Sequence, residues 1–301
     1  MTTSTKLLPA PVIDKTARLV TEQYVFPEIA EQVAGLLQQR LAEGAYDVDG
    51  AEELARLVTA DLQSVNGDRH LRLKHHADPV SPKQGAASLD AMRRDFDTSL
   101  GGAPRLQLLD GSIAVVELAP MLFPLEWAAE PLSAALTLAS RAQALIVDLR
   151  ANRGGDPDTV AFVCSYLLDQ RTHLNTMHWR NGERSEQSWS LPHVPGARFG
   201  GSKPLYVLTS DSTFSAAEEL AYNLQQLGRA TVVGERTRGG AHPCKGWTVH
   251  PHLEATIPMG RAINPVSHTN WEGTGVQPDI PCATTDALDH AHALALTRLA
   301  D

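Results

Sequence analysis

The sequence predicts an α/β fold with a largely parallel sheet, preceded by a small helical subdomain. From residue 105 onward, short apolar runs alternate with longer Ala- and Leu-rich stretches, which is the pattern of alternating strands and helices. Before that point, residues 12–64 repeat apolar side chains at three-to-four spacing, which indicates helices. The length of 301 residues suits one large domain or a core with a small appendage.

The first part of the chain, residues 1–76, is expected to form a helical subdomain that ends in a strand. Pro27 and the Gly- and Asp-containing residues 44–50 interrupt the helical spacing, so three helices are predicted. The plain interpretation of this subdomain is a packing cap on the main domain.

A turn and a strand close this subdomain. Asn66-Gly67-Asp68 is a turn signal, and His70-Leu71-Arg72-Leu73 alternates polar and apolar side chains as a strand does. Residues 77–104, which follow, are polar and rich in Pro, Gly and Ser. We predict that they form a linker or lid, with one short helix near residues 88–96.

Residues 105–301 are expected to form the main α/β domain. Parallel strands need a crossover connection, usually a helix, so a strict alternation of strands and helices favours a parallel sheet. The predicted elements alternate in the order Ile113–Leu118, Trp127–Arg141, Ala144–Leu149, 157–169, Leu205–Leu208, 215–227 and Ala230–Val233, with strands first and last.

Composition and charge exclude several classes of protein. The net charge of −9 and the lack of a basic run argue against nucleic-acid binding. No apolar stretch is long enough to span a membrane, and the N-terminus lacks the segments of a secretory signal, so a cytoplasmic location is expected.

Cofactor and metal binding are not expected either. The three cysteines are widely spaced and odd in number, which disfavours a disulfide framework. His242 and Cys244 are closely spaced, but two ligands do not make a zinc site. No glycine-rich nucleotide-binding pattern is present in the sequence.

The most informative segment is Thr209–Glu219. The apolar run Leu205–Leu208 ends in small polar residues and a helix begins at once, so Ser215 lies at a strand-to-helix turn. Backbone N–H groups in a first helical turn lack partners, and a serine there can act as a nucleophile whose oxyanion they bind. The alternative is that Ser212, Thr213 or Ser215 only caps the helix.

A second loop, from Asp148 to Gly155, also follows a predicted strand. Active sites of open α/β sheets gather at the carboxyl ends of strands. Gly154 and Gly155 permit backbone geometry that other residues resist, and one of them could present an N–H group to a reacting carbonyl oxygen. An ordinary tight turn is the plain alternative.

A serine nucleophile needs a general base, usually His, and an acid that orients it. Among the 12 histidines, His70 follows a Gly-Asp turn at the start of a strand, a good place to project into a cleft. Glu272 is the acid in the compact turn Asn270–Asp279, beside Trp271. A surface histidine and a solvated glutamate are the plain alternatives.

These stretches resemble the tail-specific (C-terminal processing) serine peptidases, especially the branch that includes the tricorn core protease and the interphotoreceptor retinoid-binding protein. The N-terminal helical part also resembles that of the family, and the resemblance implies a crotonase-like/ClpP-like core of stacked ββα units. The matching stretches, in family order, are Val147–Gly155, Leu208–Glu219, Arg229–Pro243 and Asn270–Ile280.

The resemblance implies roles for individual residues. The nucleophile falls on Ser215, the first Ser of a Ser-Ala-x-Glu motif, and the oxyanion hole falls on the amides of Ala216 and of Gly154 or Gly155. Many family members have a Lys base 25 residues after the nucleophile, but Gly240 occupies that position here. A Ser/Lys dyad is therefore not expected.

The tricorn-like branch uses a His base and a supporting Glu, which fall on His70 and Glu272. The branch has a Ser before its His, whereas this chain has Arg69, so Asp68 is considered as a supporting residue instead. The segment 76–105 is too short for the PDZ domain of many processing peptidases, so recognition of a substrate tail by such a domain is not expected.

Together, these features predict a peptidase-like serine hydrolase that cleaves a peptide or related acyl bond through an acyl-enzyme. The expected partners are a peptide or small acyl substrate, with no nucleic acid and no membrane. Relatives of this fold often assemble, so a homo-oligomer is included among the partners considered, although the sequence does not determine the oligomeric state. Two alternatives stay open: a non-catalytic binder of an apolar small ligand, and a diverged enzyme of acyl or enolate chemistry in a small-molecule pathway.

Overall fold

The structure is a computed structural model that describes residues 8–80, 84–180 and 184–301. The α-helices are α1 (Pro9–Gln23), α2 (Pro27–Ala42), α3 (Ala51–Ser64), α4 (Gln84–Thr98), α5 (Leu125–Ala139), α6 (Pro157–Leu167), α7 (Ala216–Gln226) and α8 (Ala287–Ala300). The strands are β1 (Arg72–His75), β2 (Arg105–Leu109), β3 (Ile113–Glu117), β4 (Ala144–Asp148), β5 (His173–Trp179), β6 (Ser185–Trp189), β7 (Leu205–Thr209), β8 (Thr231–Gly234), β9 (Cys244–His250), β10 (Leu253–Pro258), β11 (Gly260–Ile263) and β12 (Ile280–Pro281).

The chain folds into two compact units, and each unit consists of three separate segments of the sequence. The first unit runs to Ser88 and adds Met177–Ser185 and His242–Ala262. The second unit consists of Leu89–Thr176, Glu186–Ala241 and Ile263–Asp301. Strands β5, β6 and β11 each contain residues of both units.

The first unit packs three helices with a small sheet. Helix α2 begins at Pro27, because a proline in the first helical turn loses no hydrogen bond. Strand β10 pairs antiparallel with β1 on one side and with β9 on the other. The core of this unit consists of apolar residues at helical spacing in α1 to α3 and of alternate residues in the strands. Its helix residues include Ile13, Val20, Leu37, Leu54 and Leu62, and its strand residues include Leu73, Leu253, Ala255 and Ile257.

The second unit is built on a six-stranded sheet in the order β12-β8-β7-β4-β3-β2. All pairings in this sheet are parallel except that of β2 with β3. Every residue of β4 and of β7 is buried, as expected for central strands of a covered parallel sheet. Helix α8 contributes the small buried residues Ala287, Ala291 and Ala295 to the core with β4, β7 and β8.

The predicted α/β class with a largely parallel sheet is confirmed, and several elements that the sequence did not predict are present. These are β2, β5, β6 and β9 to β12. Helix α4 is longer than the short helix predicted near residues 88–96, and residues 81–83 of the predicted linker lie outside the described residues. No helix in the described part of the chain is long and apolar enough to cross a membrane.

Candidate active site

The loop between β7 and α7 places Ser215 at a sharp turn. Ser215 has φ 56° and ψ −123°, a conformation that residues other than glycine seldom adopt. The loop is fixed to the loop after β4, because Ser210 Oγ donates to Arg150 O (2.6 Å) and Thr213 Oγ1 donates to Leu149 O (3.0 Å). The adjoining ends of two parallel strands thus hold the serine in a strained backbone conformation, a feature common at functional sites.

Gly154 lies directly against this turn. A Cβ atom on Gly154 would lie 2.7 Å from Ser215 Cβ, 2.8 Å from Phe214 O and 3.1 Å from Ala216 N. Its φ of 101° also favours glycine. A residue without a side chain is therefore required here by close packing against the serine turn.

Two backbone N–H groups beside this turn, those of Gly155 and Ala216, have no hydrogen-bond acceptor among the residues that the structure describes. The N–H group of Gly154, by contrast, donates to Asn152 Oδ1 (2.9 Å). Gly155 is exposed. A Cβ atom added to Gly155 would lie 1.9 Å from Leu122 O, so no side chain fits at this position. The amides of Gly155 and Ala216 are therefore the pair available to an oxyanion.

Glu218 fixes the serine turn to the loop after β8. Its Oε2 accepts the N–H groups of Ser215 (2.7 Å) and Gly240 (2.9 Å), and its Oε1 accepts the hydroxyl of Thr237 (2.5 Å) and the N–H group of Gly239 (2.6 Å). Burial raises the pKa of Glu218, and these four donors oppose that rise. One fully buried carboxylate thus holds the serine turn and residues 237–240 together.

The turn that contains Glu272 docks on the same loop. Trp271 is 2% exposed and its Nε1–H donates to Gly240 O (2.8 Å), while Glu272 Oε2 accepts the N–H group of Ala241 (2.5 Å). Gly240, where many tail-specific peptidases have a lysine by the resemblance described above, contributes only backbone atoms to these contacts. Within the second unit, Ser215 and Glu272 are therefore linked through Glu218 and residues 239–241.

In the first unit, His70 lies two residues before β1 and is 4% exposed. Its backbone N–H group donates to Asp68 Oδ1 (3.0 Å). Burial lowers the pKa of His70 to about 4, against the opposing charge of Asp68 and with a further lowering from Arg72. The imidazole is therefore neutral near pH 7, which is the state that a general base requires.

Asp68 is fully buried and accepts hydrogen bonds at both carboxylate oxygens. Besides the His70 amide, it accepts Tyr24 Oη–H (2.9 Å) and His242 Nδ1–H (2.8 Å) at Oδ2. Burial raises the pKa of Asp68, but the hydrogen bond and charge of His242, with help from Tyr24, outweigh it and hold that pKa below its ordinary value. Asp68 thus positions the backbone at His70.

The structure divides the predicted site residues between the two units. Ser215 and the oxyanion-hole residues Ala216, Gly154 and Gly155 lie in the second unit with Glu272, and they share one set of loops. His70, Asp68 and the exposed Arg69 lie in the first unit. A joint action of His70 with Ser215 and Glu272 stays a prediction.

The sequence did not single out two residues that the structure places in these networks, Glu218 and His242. Glu218 is the acid of the Ser-Ala-x-Glu motif, so its spacing of three from Ser215 was the available signal. His242 follows the Gly239-Gly240-Ala241 stretch and was considered only as a metal ligand beside Cys244. Its bond to Asp68 spans 174 residues, which no local pattern reveals.

Comparison with known proteins assigns this chain to a family. A profile described as "Peptidase family S41" matches residues 112–282, more than half of the chain. A second profile, "N-terminal domain of Peptidase_S41 in eukaryotic IRBP", matches residues 5–97. The chain therefore belongs to peptidase family S41, and the predicted resemblance to the tail-specific peptidases is confirmed.

The chain is also similar to a carboxyl-terminal-processing protease from a Picosynechococcus species, with 37% identity over 94 residues. That match covers 31% of this chain and 21% of the length of that protein.

Solved structures show the same mixed α/β fold over nearly the whole chain. A lipoprotein from Streptococcus agalactiae has a TM-score of 0.63 at 15% identity, covering 97% of this chain and 98% of its own. The photosystem II D1 C-terminal processing protease has a TM-score of 0.55 at 16% identity, covering 96% of this chain and 98% of its own. At such low identity these similarities concern the fold alone.

Proposed function

We propose that this protein is a serine peptidase that cleaves a peptide or related acyl bond through an acyl-enzyme at Ser215. The observation that carries the proposal is the strained Ser215 turn, packed on Gly154 and flanked by the amides of Gly155 and Ala216, which lack acceptors among the described residues. Membership of peptidase family S41 supports peptides as the substrate class.

In the proposed reaction, Ser215 Oγ attacks the carbonyl carbon while His70 accepts its proton. The amides of Gly155 and Ala216 bind the oxyanion, and Glu272 stabilises the imidazolium. His70 then protonates the leaving amine, and a water molecule hydrolyses the acyl-enzyme with His70 again as the base. The neutral state of buried His70 near pH 7 supports this role.

The proposal includes a crotonase-like/ClpP-like arrangement of stacked ββα units in the second unit. Support comes from β2, β3 and α5, which follow one another as a ββα unit, and from the parallel pairing of β3, β4, β7 and β8. The proposed nucleophile and one oxyanion amide would then follow the carboxyl ends of neighbouring strands.

A fluorophosphonate probe tests the nucleophile. We expect stoichiometric labelling of Ser215, its loss in Ser215→Ala, and strongly slowed labelling in His70→Ala. Ser212→Ala is the matched control, because Ser212 is exposed and lies three residues earlier in the same loop. Cleavage of a mixed peptide library, followed by mass spectrometry, should disappear in Ser215→Ala but not in the control Ser212→Ala. Unchanged turnover in Ser215→Ala would refute the assignment.

A non-catalytic binder of an apolar small ligand remains the second candidate. It is favoured by the match of residues 5–97 to a profile named after an IRBP domain. The same experiment separates the two, because a binder retains ligand affinity in Ser215→Ala and shows no labelling of Ser215 in the unsubstituted protein.

A further inference from the structure

Three histidines converge at one end of the small sheet in the first unit. His250 ends β9 and pairs with Leu253, the first residue of β10, so Pro251 and His252 form the turn of this hairpin. His75 ends β1 and pairs with Leu253 from the other side. We call His75, His250 and His252 the histidine cluster.

The ring of His252 lies about 1 Å beyond the ligating separation from each of the other two rings of the histidine cluster. The ring centroid of His252 is 6.4 Å from that of His75 and 6.2 Å from that of His250. Two imidazoles on one tetrahedral ion, with metal–nitrogen bonds of about 2 Å, have centroids about 5 Å apart. Binding therefore requires the rings to approach one another by about 1 Å. His75 is exposed and the other two are half-buried.

The hydrogen bonds of His252 leave one ring nitrogen for a ligand. His252 Nδ1 lies 2.9 Å from His76 O, and a carbonyl oxygen only accepts, so Nδ1 carries the proton. The lone pair of the neutral ring is then on Nε2. Metal-bound histidines commonly donate their other ring N–H group to a carbonyl in this way.

The cost of ligation at His250 is small. Its Nδ1 accepts the N–H group of His252 at 3.2 Å, a bond at the long end of the normal range. Ligation through Nε2 would require the ring proton to move from Nε2 to Nδ1. His250 Nδ1 would then no longer accept the N–H group of His252, and only that contact would be lost.

We propose that His75, His250 and His252 bind a divalent transition-metal ion for which imidazole is a preferred ligand, such as Zn²⁺, with water completing the coordination. This site is separate from Ser215 and does not depend on the proposed peptidase function. The bound ion would join the end of β1 to the β9–β10 hairpin, and so would stabilise the sheet that begins two residues after His70.

Titration calorimetry of tag-free protein with Zn²⁺ tests the site. We expect one ion per chain and a rise in melting temperature on binding. His252→Asn and His75→Asn should each weaken binding by about tenfold or more, a loss at least as large as removal of an outer-shell partner causes. His193→Asn is the matched control, since His193 is exposed and lies in the second unit.

Two further measurements separate this site from other metal binding. In the first, Zn²⁺ should bind to the His70→Asn variant with unchanged affinity. In the second, the electron paramagnetic resonance spectrum of the Cu²⁺ complex should show coupling to imidazole nitrogens, and this coupling should diminish in His252→Asn. Absence of Zn²⁺ binding, or binding that survives both cluster substitutions unchanged, overturns the proposal. Loss of peptidase activity in Ser215→Ala has no bearing on either result.

Discussion

At the scale of single residues, the candidate site depends on backbone conformations that only a few residues tolerate. Ser215 holds a positive φ, and Gly154 fills the space beside it where any side chain would collide with the serine turn. The strain at Ser215 is sustained by the bonds of Ser210 and Thr213 to the neighbouring loop. Small changes there are expected to affect chemistry more than stability.

Gly154→Ala should reduce kcat/KM for peptide hydrolysis by about a hundredfold, because a displacement of the nucleophile by about 1 Å has effects of that size. Gly228→Ala is the control: its φ is also positive, at 63°, but no atom lies within 4 Å of the added Cβ. That change should cost about 1 kcal/mol of stability, because a residue with a Cβ atom is disfavoured at positive φ, and should leave kcat unaltered. Equal loss of activity in both variants would contradict the packing argument.

The pH dependence of kcat/KM should show an acid limb near pH 4. Burial lowers the pKa of His70 from 6.5 to about 4, so the base is lost only when the pH falls through that lower value. The same shift means that folding stability rises with pH between these two values, since the unfolded state binds the proton more tightly there. A limb near pH 6.5 would show that His70 is not the base of the free enzyme.

At the scale of elements, helix α7 carries two adjacent buried acids that differ in the number of hydrogen-bond donors around them. Glu218 accepts four hydrogen bonds, from Ser215, Thr237, Gly239 and Gly240. Glu219 accepts one from Asn175 Nδ2 (2.9 Å), and burial raises its pKa to about 7. Burial raises the pKa of both acids, but at Glu218 four hydrogen-bond donors oppose that rise.

Glu218→Gln should destabilise the protein by about 2–4 kcal/mol, because the new NH₂ group would face N–H donors that lose their acceptor. Labelling of Ser215 by fluorophosphonate should slow at least about tenfold as its turn loosens. Chemical denaturation and labelling rates measure the two effects. An unchanged labelling rate would mean that Glu218 does not position the serine turn.

Glu219→Gln is the matched variant and should have the opposite effect on stability. As pH rises from 4.5 to about 7, the unfolded state loses this proton first, so ionisation of Glu219 progressively lowers the free energy of unfolding. Gln cannot ionise, keeps an acceptor for Asn175 Nδ2, and can donate to Asn175 Oδ1, which has no partner among the described residues. The variant should be more stable by about 2 kcal/mol at pH 8, with little difference at pH 5.

If Glu219→Gln is destabilised at pH 8 as well as at pH 5, the carboxylate of Glu219 is not an electrostatic cost to the fold. Comparing denaturation midpoints at the two pH values distinguishes these outcomes.

At the scale of the whole molecule, each unit has its own hydrophobic core. Leu37 is fully buried among the helices of the first unit, and Leu145 is fully buried in the sheet of the second. Separate cores favour separate cooperative opening, because contiguous packed regions commonly open as cooperative units.

Leu37→Ala should cost about 2–5 kcal/mol and speed amide hydrogen exchange in α1 to α3, while β4 and β7 keep their protection. Leu145→Ala is the reciprocal variant and should expose β4 and β7 first. Hydrogen-exchange mass spectrometry reads both patterns. Equal loss of protection in the two units by either variant would show that they open together.

The sequence predicted the elements whose patterns are local. Apolar spacing placed the three N-terminal helices, and the continuous apolar runs at β3, β4, β7 and β8 identified a parallel sheet. Strands β9 and β10 were missed, because Cys244–His250 includes Gly and Lys and is specified by pairing with a distant strand. Residues 242–262 belong to the first unit with the N-terminal helices, and this too is specified by the pairing of β10 with the distant strand β1.

For the site, the sequence by itself determined where a serine turn and a glycine loop follow two strands, since strand ends, glycines and a helix start are local signals. Only the tertiary structure decided which amides are engaged, that Glu218 collects four donors, and that His242 binds Asp68 across 174 residues. Hydrogen-bond partners far apart in the chain are chosen by folded geometry, and burial then sets the pKa values of His70 and Glu219.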